Sequence, residues 1–186
     1  MKMKLGLLAV ACLFLAVGAV AQKGKEFYQI TVYHFKTAAQ ESTIDEFLKN
    51  ALLPALHKKL SKSIGVFKPI ANDTAADKKI VVLIPLKNLQ DAASIAPGYA
   101  TESSPAYANA EYDNPPYTRM ENILLQAFPL QPKMDVPKLN GSREDHVYEL
   151  RSYESATEKL YRNKVKMFND GNEIALFKRL NFNAVF

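Results

Sequence analysis

The chain has 186 residues, a formal net charge of +5 and a single cysteine, Cys12. This length suits one domain or two small ones, and a modest charge carried by scattered lysines does not indicate a nucleic-acid-binding protein. A single cysteine excludes an intrachain disulfide and a metal site built on two or more cysteines.

The N-terminus is typical of a secretory signal peptide. Lys2 and Lys4 precede an uncharged apolar run over residues 5–20, and Ala19 and Ala21 form a small-residue cleavage pattern. The run is shorter than the about 20 apolar residues that span a bilayer. We therefore expect cleavage after Ala21, loss of residues 1–21, and a secreted or periplasmic protein without a transmembrane anchor.

Cys12 raises the question of lipidation, because small residues precede it. An apolar segment that ended at this cysteine would be very short for a lipoprotein signal, so the sequence argues against a lipid anchor. Cleavage after Ala21 would instead remove the cysteine together with the leader.

A strand and an amphipathic helix are predicted next. Residues 28–35 place β-branched and aromatic side chains on both faces, which predicts a strand buried on both sides. Thr43, followed three residues later by Glu46, matches a capping box, so a helix is predicted to begin there. Its apolar positions recur at helical spacing as far as Leu60, and Pro54 is expected to kink or split it.

Three more strands and two short helices complete the first unit. Strands are predicted at residues 65–70, 78–86 and 121–130. A short helix is predicted at 88–96, and another around 106–112 within a Tyr-, Ala- and Pro-rich segment. The resulting β-α-β-β-α-β order is the ferredoxin-like arrangement of an α+β fold. We assign residues 22–132 to this unit and residues 133–145 to a linker.

The pattern then restarts at an offset of about 120 residues. The segment "YQITVY" from Tyr28 aligns with "YELRSY" from Tyr148, and "ALHKKL" from Ala55 aligns with "ALFKRL" from Ala175. Two stretches that share one offset predict a tandem repeat whose second copy occupies residues 146–186. The counterpart of residues 68–130 is missing, so we expect a truncated second copy, either in a fragment or in a naturally short chain that dimerises.

The second copy resembles the opening of a NIPSNAP domain. The resemblance rests on its Tyr-Glu-Leu-Arg-x-Tyr strand, the basic helix that follows, and a further helix that ends before "FNAVF". It is looser over residues 27–130, where "IPL" and "LLQAF" fit the first half of secreted bacterial members. The resemblance implies a dimeric α/β-barrel in which two ferredoxin-like units pair their sheets, within one full-length chain or in a homodimer. It implies no catalytic residue and no cofactor.

The residues themselves also point away from an enzyme. The sequence contains no G-x-S-x-G elbow, no Gly-rich phosphate loop and no pair of histidines at i, i+4 spacing. We therefore assign no catalytic residue, metal or cofactor, and whether the protein catalyses a reaction stays open. The basic run "KLYRNKVK" from Lys159 is most simply a solvated helix face, with contact to anionic lipid as the alternative.

Aromatic side chains are the better lead, because aromatics that line a barrel form a site for a flat or apolar molecule. The candidate pocket residues are Tyr33, Phe35, His57, Tyr153 and Arg151. Core packing is the alternative for the strand tyrosines and for His57, and an ion pair with a neighbouring glutamate is the alternative for Arg151. A second cluster lies in the segment after the third strand, where a surface lid is the alternative: Tyr99, Tyr107, Tyr112 and Tyr117.

The sequence thus predicts a secreted NIPSNAP-like module that binds a small apolar or aromatic ligand or assembles with a protein partner. The alternative is a haem-handling or cofactor-poor monooxygenase-like enzyme of the same fold, with His57 as the candidate haem ligand. A third hypothesis is a structural protein that binds its partner along a sheet edge.

Overall fold

The structure is a computed structural model that describes residues 24–60 and 63–186. The predicted signal peptide and its cleavage site lie outside the described residues. Among the helices in the described ranges, none is long and apolar enough to cross a membrane.

Four antiparallel strands form one sheet in the order β2-β3-β1-β4. β1 spans Phe27–Phe35, β2 spans Gly65–Phe67, β3 spans Lys78–Leu86 and β4 spans Arg119–Gln126. The mixed α+β class is confirmed. β1 is the central strand that its β-branched and aromatic composition predicts, because β3 pairs with one of its edges and β4 with the other.

Two strands are shorter than the sequence indicated, each for a local reason. β2 ends at Phe67 instead of continuing to residue 70, since Pro69 has no N–H to donate to a ladder. β4 ends at Gln126 instead of residue 130, because Gln126 pairs with Phe27 at the start of β1 and the ladder stops there.

The helix after β1 begins earlier than predicted. Its N-cap is Thr37, whose hydroxyl accepts a hydrogen bond from the Gln40 N–H while the Gln40 side chain bonds back to the cap backbone. Thr43 is not the cap; its hydroxyl donates to the carbonyl of Ala39 at 3.0 Å inside the helix. Both sites fit the capping-box pattern, and the earlier one is used because the helix can extend to it without a break.

Pro54 does divide this helix, as predicted. Helix α1 spans Ala38–Phe47, a π-helical segment spans Leu48–Leu52, and helix α2 spans Leu53–Lys59. A proline inside a helix cannot donate to the preceding turn, and the wider π-helical turns lie directly before it.

Two shorter helices follow β3. Helix α3 spans Leu89–Ser94, capped by Asn88, and helix α4 spans Pro105–Ala108. A 3-10 turn at Thr101–Ser103 precedes α4. The segment between α3 and β4 is therefore mostly turns, and it folds over the helix-covered face of the sheet.

The helices cover one face of the sheet and form the main core with it. Its fully buried side chains include Ile44, Leu56, Ile80 and Val82. Burying a leucine or isoleucine contributes about 1.5–3 kcal/mol, so this layer dominates the stability of the fold. The opposite face holds a smaller cluster of Tyr28, Ile30, Leu83 and Ala127, which Met134 and Phe186 contact from later in the chain.

Residues 146–186 form two helices, α5 at Glu158–Phe168 and α6 at Glu173–Arg179. The predicted break at Gly171 is confirmed, because α5 ends at Phe168 and α6 begins at Glu173. A Cβ at position 171 would lie 2.7 Å from the carbonyl oxygen of Met167, so a larger residue would not fit there without a shift.

The strand predicted at residues 148–153 is wrong for the described part of the chain, since this segment forms no strand there. Residues 182–186, which the repeat places opposite β2, form no strand either. A strand requires a neighbour that pairs with its backbone N–H and C=O groups. In the described ranges, one backbone hydrogen bond joins the 182–186 segment to the linker: the N–H of Asp135 donates to the carbonyl of Val185 at 2.8 Å.

Candidate functional site

A cavity of about 340 Å³ lies between the helix-covered face of the sheet and the segment that joins α3 to β4. Its floor comes from β1 and β4, and its walls come from α1, the π-helical segment, α2 and the joining segment. The side chains with polar or aromatic groups that line it are Gln29, Thr31, Tyr33, Phe47, Tyr99, Thr101, Tyr107, Tyr117 and Asn122. Its size is at the lower end of the range for small-molecule sites.

The floor of the cavity carries three polar side chains in contact. Gln29 and Thr31 share one face of β1 because alternate strand residues point the same way, and Asn122 stands opposite Thr31 on β4. The Thr31 hydroxyl donates to Asn122 Oδ1 at 2.7 Å. Gln29 Nε2 lies 3.2 Å from both Thr31 Oγ1 and Asn122 Oδ1, to which it donates.

These contacts use only part of the polar capacity of the floor. Within the described residues, no hydrogen bond is formed by the Nδ2 of Asn122 or by the Oε1 of Gln29. The floor therefore retains one amide donor and one amide acceptor on neighbouring side chains, both belonging to residues that line the cavity.

The aromatic wall is held rigidly by ring packing. Tyr107, carried by α4, stacks on Phe47 with ring centroids 3.9 Å apart and planes 13° from parallel. Tyr117 lies 6.0 Å from the rings of both Tyr33 and Tyr107. Three of the four tyrosines predicted to cluster line the cavity, whereas Tyr112 is 99% exposed and lies outside it.

Tyr33 and Tyr107 are neutral hydrogen-bonding groups. Burial raises the pKa of Tyr33 to about 12, against the opposing effect of its hydrogen bond with Tyr107. Burial also raises the pKa of Tyr107 far above its usual value, and the neighbouring Tyr33 and Tyr117 add to this. Both hydroxyls keep their protons at neutral pH, so they can orient a ligand but cannot act as bases.

No Asp, Glu, Lys, Arg or His is among the described residues that line the cavity. The described ranges also contain no group of three His, Cys, Asp or Glu side chains positioned to hold a metal ion. An arrangement of amides, hydroxyls and aromatic rings suits the binding of a molecule rather than acid–base chemistry.

The five candidate pocket residues do not form one site. Tyr33 lines the cavity. Phe35 is buried in the main core. His57 is exposed on α2 and is not one of the lining residues.

Arg151 and Tyr153 lie apart from the cavity, near α5 and α6. Arg151 donates two hydrogen bonds, at 2.8 and 2.9 Å, to the carboxylate of Glu149, so the ion-pair alternative describes its contacts. Tyr153 packs edge-to-face on Phe168 at 5.4 Å. Neither residue is among the described residues that line the cavity.

The polar floor is the part of the site that sequence reasoning missed. Gln29 and Thr31 lie on an otherwise apolar and aromatic strand, on the same face as Tyr33, and this interruption was the available signal. Asn122 gave no comparable signal, because it meets Gln29 across 93 positions of sequence.

A second polar cluster lies at the end of β1, on the opposite face of the sheet. His34 Nδ1 is 2.7 Å from Asp77 and His34 Nε2 is 2.8 Å from Glu121. The hydrogen bond from His34 lowers the pKa of Asp77. The cluster fastens the turn before β3 to β4, and because its carboxylates face opposite ring nitrogens, they cannot bind one metal ion together with His34.

Comparison of the chain with protein-family models, with curated proteins and with solved structures finds no match. The class of the protein is defined by its own architecture, an α+β fold whose four-stranded antiparallel sheet carries an uncharged, aromatic-walled cavity.

Proposed function

We propose that this chain is a secreted, NIPSNAP-like α/β-barrel protein that binds a small apolar or aromatic molecule. The observation that carries the proposal is the cavity, which is lined both by the rings of Tyr107 and Tyr117 and by the polar side chains of Gln29, Thr31 and Asn122. Rigid aromatic surface with a few convergent polar groups is the usual composition of a small-molecule site.

The strand order supports the ferredoxin-like part of the proposal. In a β-α-β-β-α-β unit of this type, the two strands next to the centre, here β1 and β3, lie side by side, and β2 and β4 form the edges. The sheet face opposite the helices carries half-buried apolar side chains such as Val32 and Val81. This face is where a second sheet would pack to close an α/β-barrel.

Secretion is supported by the basic and apolar N-terminal pattern alone. For the haem-handling alternative we find no favouring observation, because His57 lies outside the cavity and no histidine is among its described lining residues. Binding is therefore the one function that we propose.

The test is a binding assay on the mature chain beginning at Gln22. N-phenyl-1-naphthylamine, an uncharged probe that fluoresces in apolar sites, is titrated into the protein. Tyr107→Ala and Tyr117→Ala each remove one aromatic contact, which is worth about 0.5–1.5 kcal/mol, so we expect about three- to tenfold weaker binding.

Tyr112→Ala is the matched control, since Tyr112 lies in the same segment but is outside the cavity. Thermal melting checks that each variant is folded. Equal affinity for the parent protein and all three variants would place the probe elsewhere and refute the proposed site. Native mass spectrometry of the purified protein provides a second test, because a bound organic molecule should be lost from Tyr107→Ala and retained by Tyr112→Ala.

A further inference from the structure

The cavity is selective for charge. Its described lining residues have no ionised side chain, and the phenols of Tyr33 and Tyr107 remain neutral at physiological pH. An anion that entered would give up part of its hydration without gaining a partner of opposite charge, which is costly. The lining therefore favours an uncharged occupant over an anion.

The polar floor is selective for hydrogen-bonding pattern. Asn122 Oδ1 and Thr31 are occupied by their mutual contacts, which leaves Asn122 Nδ2 as a donor and Gln29 Oε1 as an acceptor. The two amides touch at 3.2 Å, so the free donor and free acceptor belong to adjacent groups. A ligand that offers a carbonyl oxygen next to an N–H can bond to both at once.

We propose that the cavity takes an uncharged, flat ring compound of the lactam or cyclic imide class, whose carbonyl accepts from Asn122 and whose N–H donates to Gln29. This inference rests on the proposed binding function and specifies its ligand. The ring of the ligand would lie against Tyr107 and Tyr117, and its amide edge would lie on the floor.

Four bicyclic compounds of similar shape test the pattern by calorimetry on the parent protein. The first is 2-quinolinone, which has the carbonyl and the N–H. The second is 1-methyl-2-quinolinone, which lacks the N–H; the third is naphthalene, which lacks both groups; the fourth is 2-naphthoate, which carries a negative charge. We expect 2-quinolinone to bind about three- to tenfold more tightly than its methylated form, the value of one neutral hydrogen bond. We expect 2-naphthoate to bind most weakly.

Asn122→Asp tests whether Asn122 Nδ2 is the atom that gives the preference for 2-quinolinone. The aspartate keeps the oxygen that accepts from Thr31 and Gln29, and replaces only the amide nitrogen. The variant should lose at least about tenfold in affinity for 2-quinolinone and gain affinity for 2-naphthylmethylammonium, since a carboxylate attracts a cation and cannot donate to the carbonyl of the ligand. Asn163→Asp on the exposed face of α5 adds the same charge away from the cavity and should change neither affinity.

The outcomes separate this inference from the proposed function. If all four compounds bind equally well and weaken together in Tyr107→Ala, the cavity binds aromatic molecules but the lactam assignment is wrong. If 2-naphthoate binds most tightly, the charge argument is also wrong. If neither these compounds nor the naphthylamine probe binds, both proposals fail together.

Discussion

Leu56 on α2 is fully buried, whereas Leu176 on α6, the residue that the internal offset places opposite it, is 39% exposed. Phe47 and Met167 show the same contrast, at 2% and 52% exposure. Both helical regions carry apolar side chains at helical spacing. They differ because the first helical region packs against β1 and β3, whereas in the described part of the chain no sheet packs against the second. The spacing of apolar residues decides which face of a helix can pack, but burial of that face requires a second element.

The two segments that begin with matching tyrosines show the same dependence. Tyr28 on β1 is buried between paired strands, while Tyr148 is 39% exposed and contacts Phe67 with ring centroids 5.2 Å apart. A strand-forming sequence yields a strand only when another segment accepts and donates its backbone hydrogen bonds.

The largest expected effect separates the two helices. Leu56→Ala should reduce the free energy of unfolding by about 2–5 kcal/mol, since it removes a fully buried side chain and leaves a cavity. Leu176→Ala should reduce it by less than about 1 kcal/mol, because its side chain retains much of its exposure. Urea denaturation of both variants measures the difference. Equal losses would show that residues 146–186 have a core of their own.

The second effect is confined to the first region and appears in alkali. Because burial raises the pKa of Tyr33 to about 12, its neutral form stabilises the folded state fully below pH 10, and this contribution is lost as the pH rises from about 10 to 12. A shift of this size corresponds to about 2–3 kcal/mol. Tyr33→Phe should remove this pH dependence and one late-titrating phenol from the absorbance titration near 295 nm. Tyr112→Phe should leave the pH dependence of stability and the late-titrating phenol unchanged. If this control also lost the late-titrating phenol, the assignment of that phenol to Tyr33 would be wrong.

A smaller effect is expected at acid pH. The hydrogen bond from His34 lowers the pKa of Asp77, and Lys79 acts in the same direction. The contribution of this carboxylate is therefore present above its ordinary pKa near 4 and is lost as the pH falls through the lowered value. Asp77→Asn should melt at a lower temperature than the parent at pH 6, and the gap should close below pH 4. A gap that stays constant down to pH 2 would contradict an ionic contribution.

The smallest effect concerns the second region. The side chain of Arg151 contacts Glu149 at the surface, and solvent screens such pairs strongly. Arg151→Ala should leave the melting temperature and the affinity for an aromatic probe unchanged. A loss of probe binding would restore Arg151 as a pocket residue and would bring the second region into the site.

Much of the local structure could be predicted. β3 occupies the predicted residues 78–86, and α3 follows Asn88 as its cap. Both elements could be predicted because their signals lie in neighbouring residues: a β-branched run for β3 and a capping side chain for α3. The N-cap of α1 was misplaced because two capping boxes, at Thr37 and Thr43, lie close together and only the folded chain selects between them.

The site was predictable only in part, for a similar reason. Tyr107 and Tyr117 lie in one tyrosine-rich segment, so a ligand wall could be predicted from composition. The floor requires Asn122 of β4 to stand opposite Thr31 of β1, and this depends on which strands become neighbours. His57 was nominated because histidine is chemically versatile, yet its position on α2 places it outside the cavity.

By itself, the sequence determined which segments favour helices and strands and which of their faces are apolar, because these properties depend on side-chain spacing along a short stretch. The tertiary structure decided which faces are buried and which polar groups meet. Those outcomes depend on contacts between distant segments, as between Gln29 and Asn122, and no pattern within either segment records them.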